Sequence, residues 1–260
     1  MTTATARQLP LPPTAAKRRL EPEVMDDPAI DPALHEAALR GLGRINRFSK
    51  SPQMLWPTIE RAYRCWQEQA NAGDKFRVLD IACGGGDNLV GLARQAERHR
   101  LDMEFIGVDM SDTALGFARR AAADAKVQID FQQRNVFDQP LPDDIDLVTN
   151  SLFMHHLTEE QAVAVFRKMA DAAHTVLVND LRRSPLAYAF TVLGTRIITR
   201  SPVVHVDGPL SVRAAWTPEE LRILAERAGL SNPSIENKFP WRMLLTWSRP
   251  DADVTQREAV

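Results

Sequence analysis

The stretch Val78-Leu79-Asp80-Ile81-Ala82-Cys83-Gly84-Gly85-Gly86 decides the fold of this chain. An apolar run ends in an acid, and three glycines follow before a helical pattern opens at Asp87. A short buried strand and a glycine-rich turn into a helix bring backbone N–H groups close to a ligand, because glycine has no Cβ to obstruct it. The stretch therefore predicts a ligand site at a strand-to-helix turn. An ordinary turn without a ligand is the plainer interpretation.

A dinucleotide site is the first alternative to weigh. Gly84 and Gly86 match two glycines of the dinucleotide fingerprint, which places Gly or Ala three residues after the second glycine. Leu89 occupies that position. The departure disfavours a nicotinamide cofactor.

Length and composition narrow the class of protein. The 260 residues carry a formal charge of −2, so no overall basic field points to nucleic acid or an anionic membrane surface. Cys65 and Cys83 lie far apart in the sequence and form no disulfide framework. Since the chain also has neither a signal-peptide pattern nor an apolar run of spanning length, we expect a soluble cytoplasmic protein without stable membrane insertion.

The chain divides into a central domain and flanking segments. Residues 1–24 are rich in proline and poor in large apolar groups, which predicts a disordered tail. Residues 25–73 carry two helical patterns that form a cap. Residues 74–249 form the main domain, with a lid insertion at 181–216, and residues 250–260 read as a second disordered tail.

Strands and helices alternate through the main domain. The predicted strands are 77–81, 104–109, 127–132, 145–150, 175–180, 234–239 and 242–247. The predicted helices are 88–98, 112–123, 159–172 and 218–228, with another at 186–198 in the lid. Alternation with short loops predicts an α/β, doubly wound, Rossmann-like sheet of seven mostly parallel strands. The last two strands have no helix between them and must form an antiparallel hairpin.

Together these features resemble the class I S-adenosylmethionine-dependent methyltransferases of the small-molecule type. Residues 80–86 are similar to the first motif of that family, acid-x-Gly-x-Gly-x-Gly, with Ala82 in place of the first glycine. The resemblance implies S-adenosylmethionine as cofactor. It also implies a loop around the methionine part of the cofactor, formed by Asp80, Ala82, Cys83, Gly84, Gly86 and Asn88.

The ends of the next strands would hold the rest of the cofactor. Asp109 ends the second strand, where a carboxylate can accept both ribose hydroxyls. The plainer role for such an acid is to cap the following helix, but Ser111 already supplies that cap, which favours the binding role. The resemblance places adenine between Met110 and the pair Asn135-Val136. Asn150-Ser151-Leu152 ends the fourth strand.

The loop after the fourth strand also bears on the acceptor. It lacks the prolines with which nucleic-acid amino-methyltransferases grip a flipped base. It also lacks the glutamate pair that protein-arginine methyltransferases need. A small-molecule acceptor remains, and the sequence leaves the oligomeric state undetermined.

Catalytic candidates follow directly after that loop. In small-molecule O-methyltransferases with a similar His-His-Leu turn, the histidines and an acid that ends the fifth strand line the acceptor pocket; here these are His155, His156 and Asp180. A purely structural turn is the alternative. We expect no metal, because neighbouring side chains should point apart and no third ligand is visible. If residues 203–209 are extended, His205 and Asp207 share a face, which gives a weaker second base candidate.

The sequence therefore predicts methyl transfer to a small, aromatic, phenolic or polyketide-like acceptor, most directly at oxygen. Carbon methylation of the quinone-biosynthesis type is the near alternative. A nicotinamide oxidoreductase and a cofactor-binding protein without catalysis are the more distant ones.

Overall fold

The computed structural model describes residues 17–27 and 29–250. The strands are β1 (Phe76–Ile81), β2 (Met103–Asp109), β3 (Asp130–Gln133), β4 (Leu147–Ser151), β5 (Thr175–Leu181), β6 (Ser234–Lys238) and β7 (Arg242–Ser248). The helices are α1 (Pro32–Phe48), α2 (Ser51–Gln67), α3 (Asp87–His99), α4 (Asp112–Ala125), α5 (Glu159–Ala172), α6 (Pro185–Ile198), α7 (Pro202–Ala214) and α8 (Pro218–Arg227). Two 3₁₀ turns, Val24–Asp26 and Met154–His156, complete the set.

The strands form one sheet in the order β3-β2-β1-β4-β5-β7-β6. Strands β1 to β5 run parallel, whereas β7 lies antiparallel to both β5 and β6. The predicted doubly wound fold with a terminal hairpin is confirmed. Because the strand order reverses at β1 and β4, ligands are expected beyond the carboxyl ends of these two strands.

Both faces of the sheet are buried, as a parallel sheet requires. Alternate residues of β1 point to opposite faces. Leu79 and Ile81 join a core with Phe166 of α5 and Leu221 of α8. On the other face, Val78 packs in a core with residues of α2, α3 and α4, among them Leu55, Leu92 and Leu115. This leaves the carboxyl-end edge as the place where side chains from several strands meet.

The predicted helix signals are confirmed. Thr158 with Gln161, and Thr217 with Glu220, form complete capping boxes. The third strand begins later than predicted, at Asp130, and runs to Gln133. No helix in the described part of the chain combines the length and the apolar character that crossing a bilayer requires.

The lid insertion differs from one expectation. Residues 203–209 are not extended but belong to α7, which Ser201 caps through the backbone N–H of Val204. Pro202 is tolerated in the first turn of α7 because a backbone N–H at that position would have no acceptor within the helix. Val203 and Val204 pack with Ala38 of α1, and this burial favours a helix over an exposed extended segment.

The predicted N-terminal tail lies partly within the described residues. Residues 1–16 lie outside them, as do 251–260 of the predicted C-terminal tail. Residues 17–24 contact the lid: the Arg19 N–H donates to the Arg213 carbonyl at 3.0 Å, and Arg213 pairs with Glu21 at 2.9 Å. The division of the chain into tails, cap and main domain stays a prediction.

Gly86 provides the first prediction, because its role is steric. Its φ is +70°, and an added Cβ would lie 2.9 Å from the Ala118 Cβ and from the Phe131 ring. We expect Gly86→Ala to lower the free energy of unfolding in urea by about 2–5 kcal/mol, from backbone strain and overpacking together. Gly229→Ala is the matched control, since its φ is +98° with nothing within 4 Å, and should cost only about 1–2 kcal/mol. Equal losses of unfolding free energy in the two variants would show that the close contacts of the added Cβ at Gly86 do not affect stability.

Candidate active site

A cavity of about 700 Å³ lies at the carboxyl ends of β1, β2 and β4. Its floor is the glycine turn after β1, and its walls come from α1, the loops after β2, β3 and β4, and the two lid helices α6 and α7. The cavity thus occupies the position that the strand order predicts.

The backbone after β1 turns sharply around the cavity floor. Ala82 has φ +51° and Gly84 has φ +53°, both in the left-handed region. A Cβ added to Gly84 would meet only the Leu39 Cδ2, at 3.9 Å, so that side of the turn is open. Gly86 does not line the cavity. A glycine is required there because an added Cβ would lie too close to Ala118 and Phe131. Ala82, Cys83 and Gly84 line the cavity, where the Cys83 N–H donates to the Val108 carbonyl at 3.0 Å and the Gly84 N–H donates to Asp109 at 2.8 Å.

Asp109 lies at the cavity edge of β2. Its carboxylate accepts the Gly84 N–H at 2.8 Å and the Ser111 N–H at 2.9 Å. Burial raises the pKa of Asp109, and these two backbone bonds counteract the rise. A carboxylate has about four acceptor positions, so this side chain keeps capacity for further donors, as two ribose hydroxyls would be.

Buried acceptors next to the turn have no donor within the described chain. The Asp80 Oδ1 and the Asn88 Oδ1 are both buried and without a hydrogen-bond partner there. Burial raises the pKa of Asp80 well above its usual value, and the nearby carboxyls of Asp87 and Asp109 raise it further. A cationic ligand would supply the missing donors and offset this concentration of acids. The residues present therefore fit the ammonium and sulfonium groups of S-adenosylmethionine.

The outer part of the cavity holds the residues predicted for adenine. Met110 lines it and is 66% exposed, which is unusual for a large apolar side chain. Asn135 and Val136 also line it, but the Asn135 Oδ1 already accepts the Phe137 N–H at 3.0 Å. Phe137 is an exposed wall residue that the sequence reasoning did not single out.

The three residues that end β4 separate into two groups. Ser151 and Leu152 line the cavity. Asn150 does not: it is fully buried beneath the cavity, where its Nδ2 donates to the Ile81 carbonyl at 3.1 Å. Asn150 therefore ties β4 to β1 and does not reach the cofactor space.

His155 and Asp180 form a buried pair at the far end of the cavity. The His155 Nδ1 lies 2.6 Å from the Asp180 Oδ1, and the His155 backbone N–H donates to the Asp180 Oδ2 at 3.0 Å. Burial raises the pKa of Asp180, but the charge and hydrogen bond of His155 outweigh it, so the net pKa is lowered. An ionised Asp180 keeps the proton on Nδ1 and leaves the lone pair on Nε2. His155 lines the cavity, whereas Asp180 does not.

His156 stands beside His155, contrary to the expectation that the two rings diverge. The 3₁₀ turn brings their centroids to 4.2 Å. The His156 Nδ1 pairs with the Asp26 Oδ2 at 2.8 Å. Glu23 completes a set in which three ligand-type atoms lie within 4.8 Å of one another. The prediction of no metal rested on diverging rings and on the lack of a third ligand. The structure shows adjacent rings and a third ligand-type side chain, so neither reason holds.

His205 lies away from this group. In α7, residues two apart point to different sides, so His205 and Asp207 do not share a face. The His205 Nε2 contacts the Thr199 carbonyl at 2.8 Å, and the residue does not line the cavity. The Asp207 carboxylate instead accepts the N–H groups of Val24 and Met25. The second base candidate is therefore wrong.

Two contributors to the site escaped the sequence reasoning. Helix α1 lines the cavity with His35, Leu39 and Asn46, and β7 contributes Arg242. Arg242 is 1% exposed and donates to the Asn46 Oδ1 at 2.6 Å, while Asn46 donates to Asp87 at 2.9 Å. The polar residues His35 and Asn46 among the buried residues of α1 were the available signals.

The Asp26–His156 pair gives a pH-dependent prediction. Burial lowers the pKa of His156, but Asp26, with Glu23 and Asp180 nearby, raises it to about 9 from 6.5. Because the folded pKa is the higher one, this stabilisation is complete below pH 6.5 and is lost as the pH rises through 9. Asp26 is half exposed, so the free-energy gain should stay below about 1 kcal/mol.

The measurement compares unfolding free energies of wild type and Asp26→Asn from about pH 6 to about pH 10. The difference should shrink towards the alkaline end. Asp27→Asn is the control, because Asp27 is exposed and accepts only the Ala29 N–H. A difference that is constant with pH would contradict the pairing.

The sequence is similar to those of known methyltransferases. A sequence profile described as a methyltransferase domain matches residues 78–175. The ubiquinone biosynthesis O-methyltransferase of Alkalilimnicola ehrlichii is 30% identical over 171 residues, which cover 63% of this chain and 67% of the relative. With its Rossmann-like sheet and glycine-turn cavity, the chain belongs to the class I S-adenosylmethionine-dependent methyltransferases. S-adenosylmethionine is the cofactor of that family.

Two further similarities add detail. The ubiquinone biosynthesis O-methyltransferase of Aeromonas salmonicida is 27% identical over 157 residues, or 59% of this chain and 62% of the relative. Among solved structures, the S-adenosylmethionine-dependent methyltransferase SibL in its apo form matches 90% of this chain and 64% of its own, with 21% identity and a TM-score of 0.62. The last similarity concerns the fold. The chain spans about two thirds of the length of these proteins.

Proposed function

We propose that this protein transfers the methyl group of S-adenosylmethionine to a hydroxyl oxygen of a small, largely apolar acceptor, with His155 as the proton acceptor. The observation that carries the proposal is the His155–Asp180 pair at 2.6 Å, with His155 among the residues that line the cavity. Relatives named as O-methyltransferases support oxygen as the methylated atom.

The cofactor would be held by the first half of the cavity. S-adenosylmethionine, when bound, supplies an electrophilic methyl group on a sulfonium sulfur. The backbone of residues 82–84 would hold its amino-acid end, together with Asp80 and Asn88, and Asp109 would accept its ribose hydroxyls. Asp80 lies near the carboxyls of Asp87 and Asp109, and a cationic ligand would favour the ionised form of Asp80 that burial and these neighbours disfavour.

The acceptor would occupy the second half of the cavity. Apolar side chains from α1, α6, α7 and the turn before β7 line the cavity, among them Leu42, Ile45, Phe190, Val212 and Trp241. Apolar walls favour an aromatic or alkyl body, and a hydroxyl must then reach the few polar groups available. Alignment of that hydroxyl and exclusion of water account for most of the catalysis expected in such a displacement.

Proton transfer completes the reaction. The His155 Nε2 would take the hydroxyl proton while the acceptor oxygen forms its bond to the methyl carbon and the carbon–sulfur bond breaks. Asp180 would stabilise the imidazolium that results. Deprotonation of an alcohol or phenol needs such a base, whereas methylation of an already activated ring carbon does not.

The test is transfer of label from methyl-labelled S-adenosylmethionine to simple phenols and catechols with alkyl chains of increasing length. We expect labelled methyl ethers, with turnover rising with chain length, and NMR of the product would identify the methylated atom. Carbon-methylated products would replace this proposal with the quinone-type alternative. The cytoplasmic location remains a prediction from the sequence.

A further inference from the structure

Residues 17–27 form a segment, here called the N-terminal latch, that closes over the histidine turn. Arg18 donates to the carbonyls of His155 and Leu157 at 2.8 Å each, and its guanidinium lies 3.5 Å from the centre of the Trp216 ring. Further along, the N–H groups of Val24 and Met25 donate to Asp207 of α7 at 2.8 and 3.0 Å. The latch therefore joins the turn that carries His155 to the lid.

The latch places one carboxylate inside the site. Glu23 is 7% exposed, lines the cavity, and has its Oε1 3.8 Å from the His155 Nε2. The Ser211 hydroxyl donates to the same oxygen at 2.6 Å. Ser211 belongs to α7, so latch and lid together fix the position of this carboxylate.

The contact between Glu23 and His155 is chemically incomplete. With its proton on Nδ1, His155 presents a lone pair at Nε2, and the Glu23 oxygen opposite is also an acceptor. Two acceptors that face each other in a buried site need a proton between them. Either a hydroxyl of the ligand donates there, or His155 itself is protonated.

We infer that Glu23 is a positioning residue for methyl transfer: it orients the His155 ring and stabilises the imidazolium formed when the acceptor hydroxyl loses its proton to His155. The inference rests on the proposed function. In the step, the proton moves from the acceptor oxygen to the His155 Nε2 while the oxygen–carbon bond forms and the carbon–sulfur bond breaks. His155 then carries its positive charge between Asp180 and Glu23.

Several other charged groups lie near the Glu23–His155 pair. Asp180 comes from β5, Asp26 and Arg18 come from the latch, His156 adjoins in the turn, and Asp207 lies beyond Glu23 on α7. Of these, only Asp180 contacts the His155 ring as closely as Glu23 does among the described ion pairs. Removal of the Glu23 charge should therefore have a measurable effect on His155, because the other charged groups stay the same.

Glu23→Gln is the decisive variant, because glutamine keeps an acceptor for Ser211 and loses only the charge. NMR of the His155 ring nitrogens in the complex with S-adenosylhomocysteine should show a change in the Nε2 chemical shift, because a nearby charge is removed. Glu21→Gln, in the same latch, removes the charge that pairs with Arg213 and should leave that chemical shift unchanged. This readout requires no acceptor, so it can fail or succeed independently of the proposed function.

Activity gives the second readout, with 4-alkylcatechol as the probe, measured with and without a chelator. Glu23→Gln should lower kcat about tenfold, move the acidic limb of the pH profile to lower pH and leave the Kd of S-adenosylmethionine unchanged. Equal losses in Glu21→Gln, or a His155 chemical shift that does not respond to Glu23→Gln, would overturn the inference. So would abolition of wild-type turnover by the chelator, which would assign Glu23, His155 and His156 to a cation instead.

Discussion

His155→Asn is expected to lower kcat for a phenolic acceptor by about 100- to 10,000-fold. Asparagine is chosen because its amide can still donate to Asp180, so that no buried carboxylate is left without a partner. Alanine would confound the measurement, since an unpaired buried charge destabilises a fold by about 3–5 kcal/mol. The affinity for S-adenosylmethionine should stay within about threefold, because His155 lies apart from the glycine turn.

The control for this prediction is His205→Asn. His205 belongs to the lid helix α7, its ring contacts the Thr199 carbonyl at 2.8 Å, and it does not line the cavity. Radiolabel transfer and calorimetry on both variants separate chemistry from binding. Wild-type turnover in His155→Asn would rule out a base at this position and favour an acceptor that needs no deprotonation.

Asp109→Ala is expected to weaken S-adenosylmethionine binding about 100-fold or more. Two ribose hydroxyls would each lose a charge-assisted hydrogen bond worth about 1.5–3 kcal/mol. The substitution also frees the N–H groups of Gly84 and Ser111, which the carboxylate holds at 2.8 and 2.9 Å. Titration calorimetry with S-adenosylmethionine and with S-adenosylhomocysteine should give the same loss, because the two share the sugar.

Asp130→Ala is the comparison for Asp109. Asp130 is an exposed acid on β3, outside the cavity, so its removal should leave cofactor binding unchanged. A thermal-unfolding scan without ligand would check that Asp109→Ala is folded. Unchanged cofactor affinity in a folded Asp109→Ala protein would place the sugar elsewhere.

Local signals account for most of the fold that the sequence predicts. The apolar run before the glycines gives β1, the capping boxes give the starts of α5 and α8, and the missing helix between the last two strands gives the hairpin. Such features depend on neighbours in the chain, which a sequence displays directly. The ligand side of the glycine turn is predictable for the same reason.

Residues that depend on distant partners were not predictable. Val203 and Val204 belong to a helix because Ala38, far away in sequence, covers them. The latch contacts Arg213 and Asp207 through bonds that its composition alone does not predict. Glu23 was invisible as a site residue because nothing local marks it. Likewise, only the 3₁₀ geometry of the turn brings the His155 and His156 rings together.

The roof of the cavity is assembled from the latch, α1, α6 and α7, which come from separate parts of the chain. The bonds that set Glu23 against His155 also join three separate parts of the chain around the acceptor end of the cavity. If release of the product requires these bonds to break, the rate of that opening sets an upper bound on turnover however fast the methyl group moves.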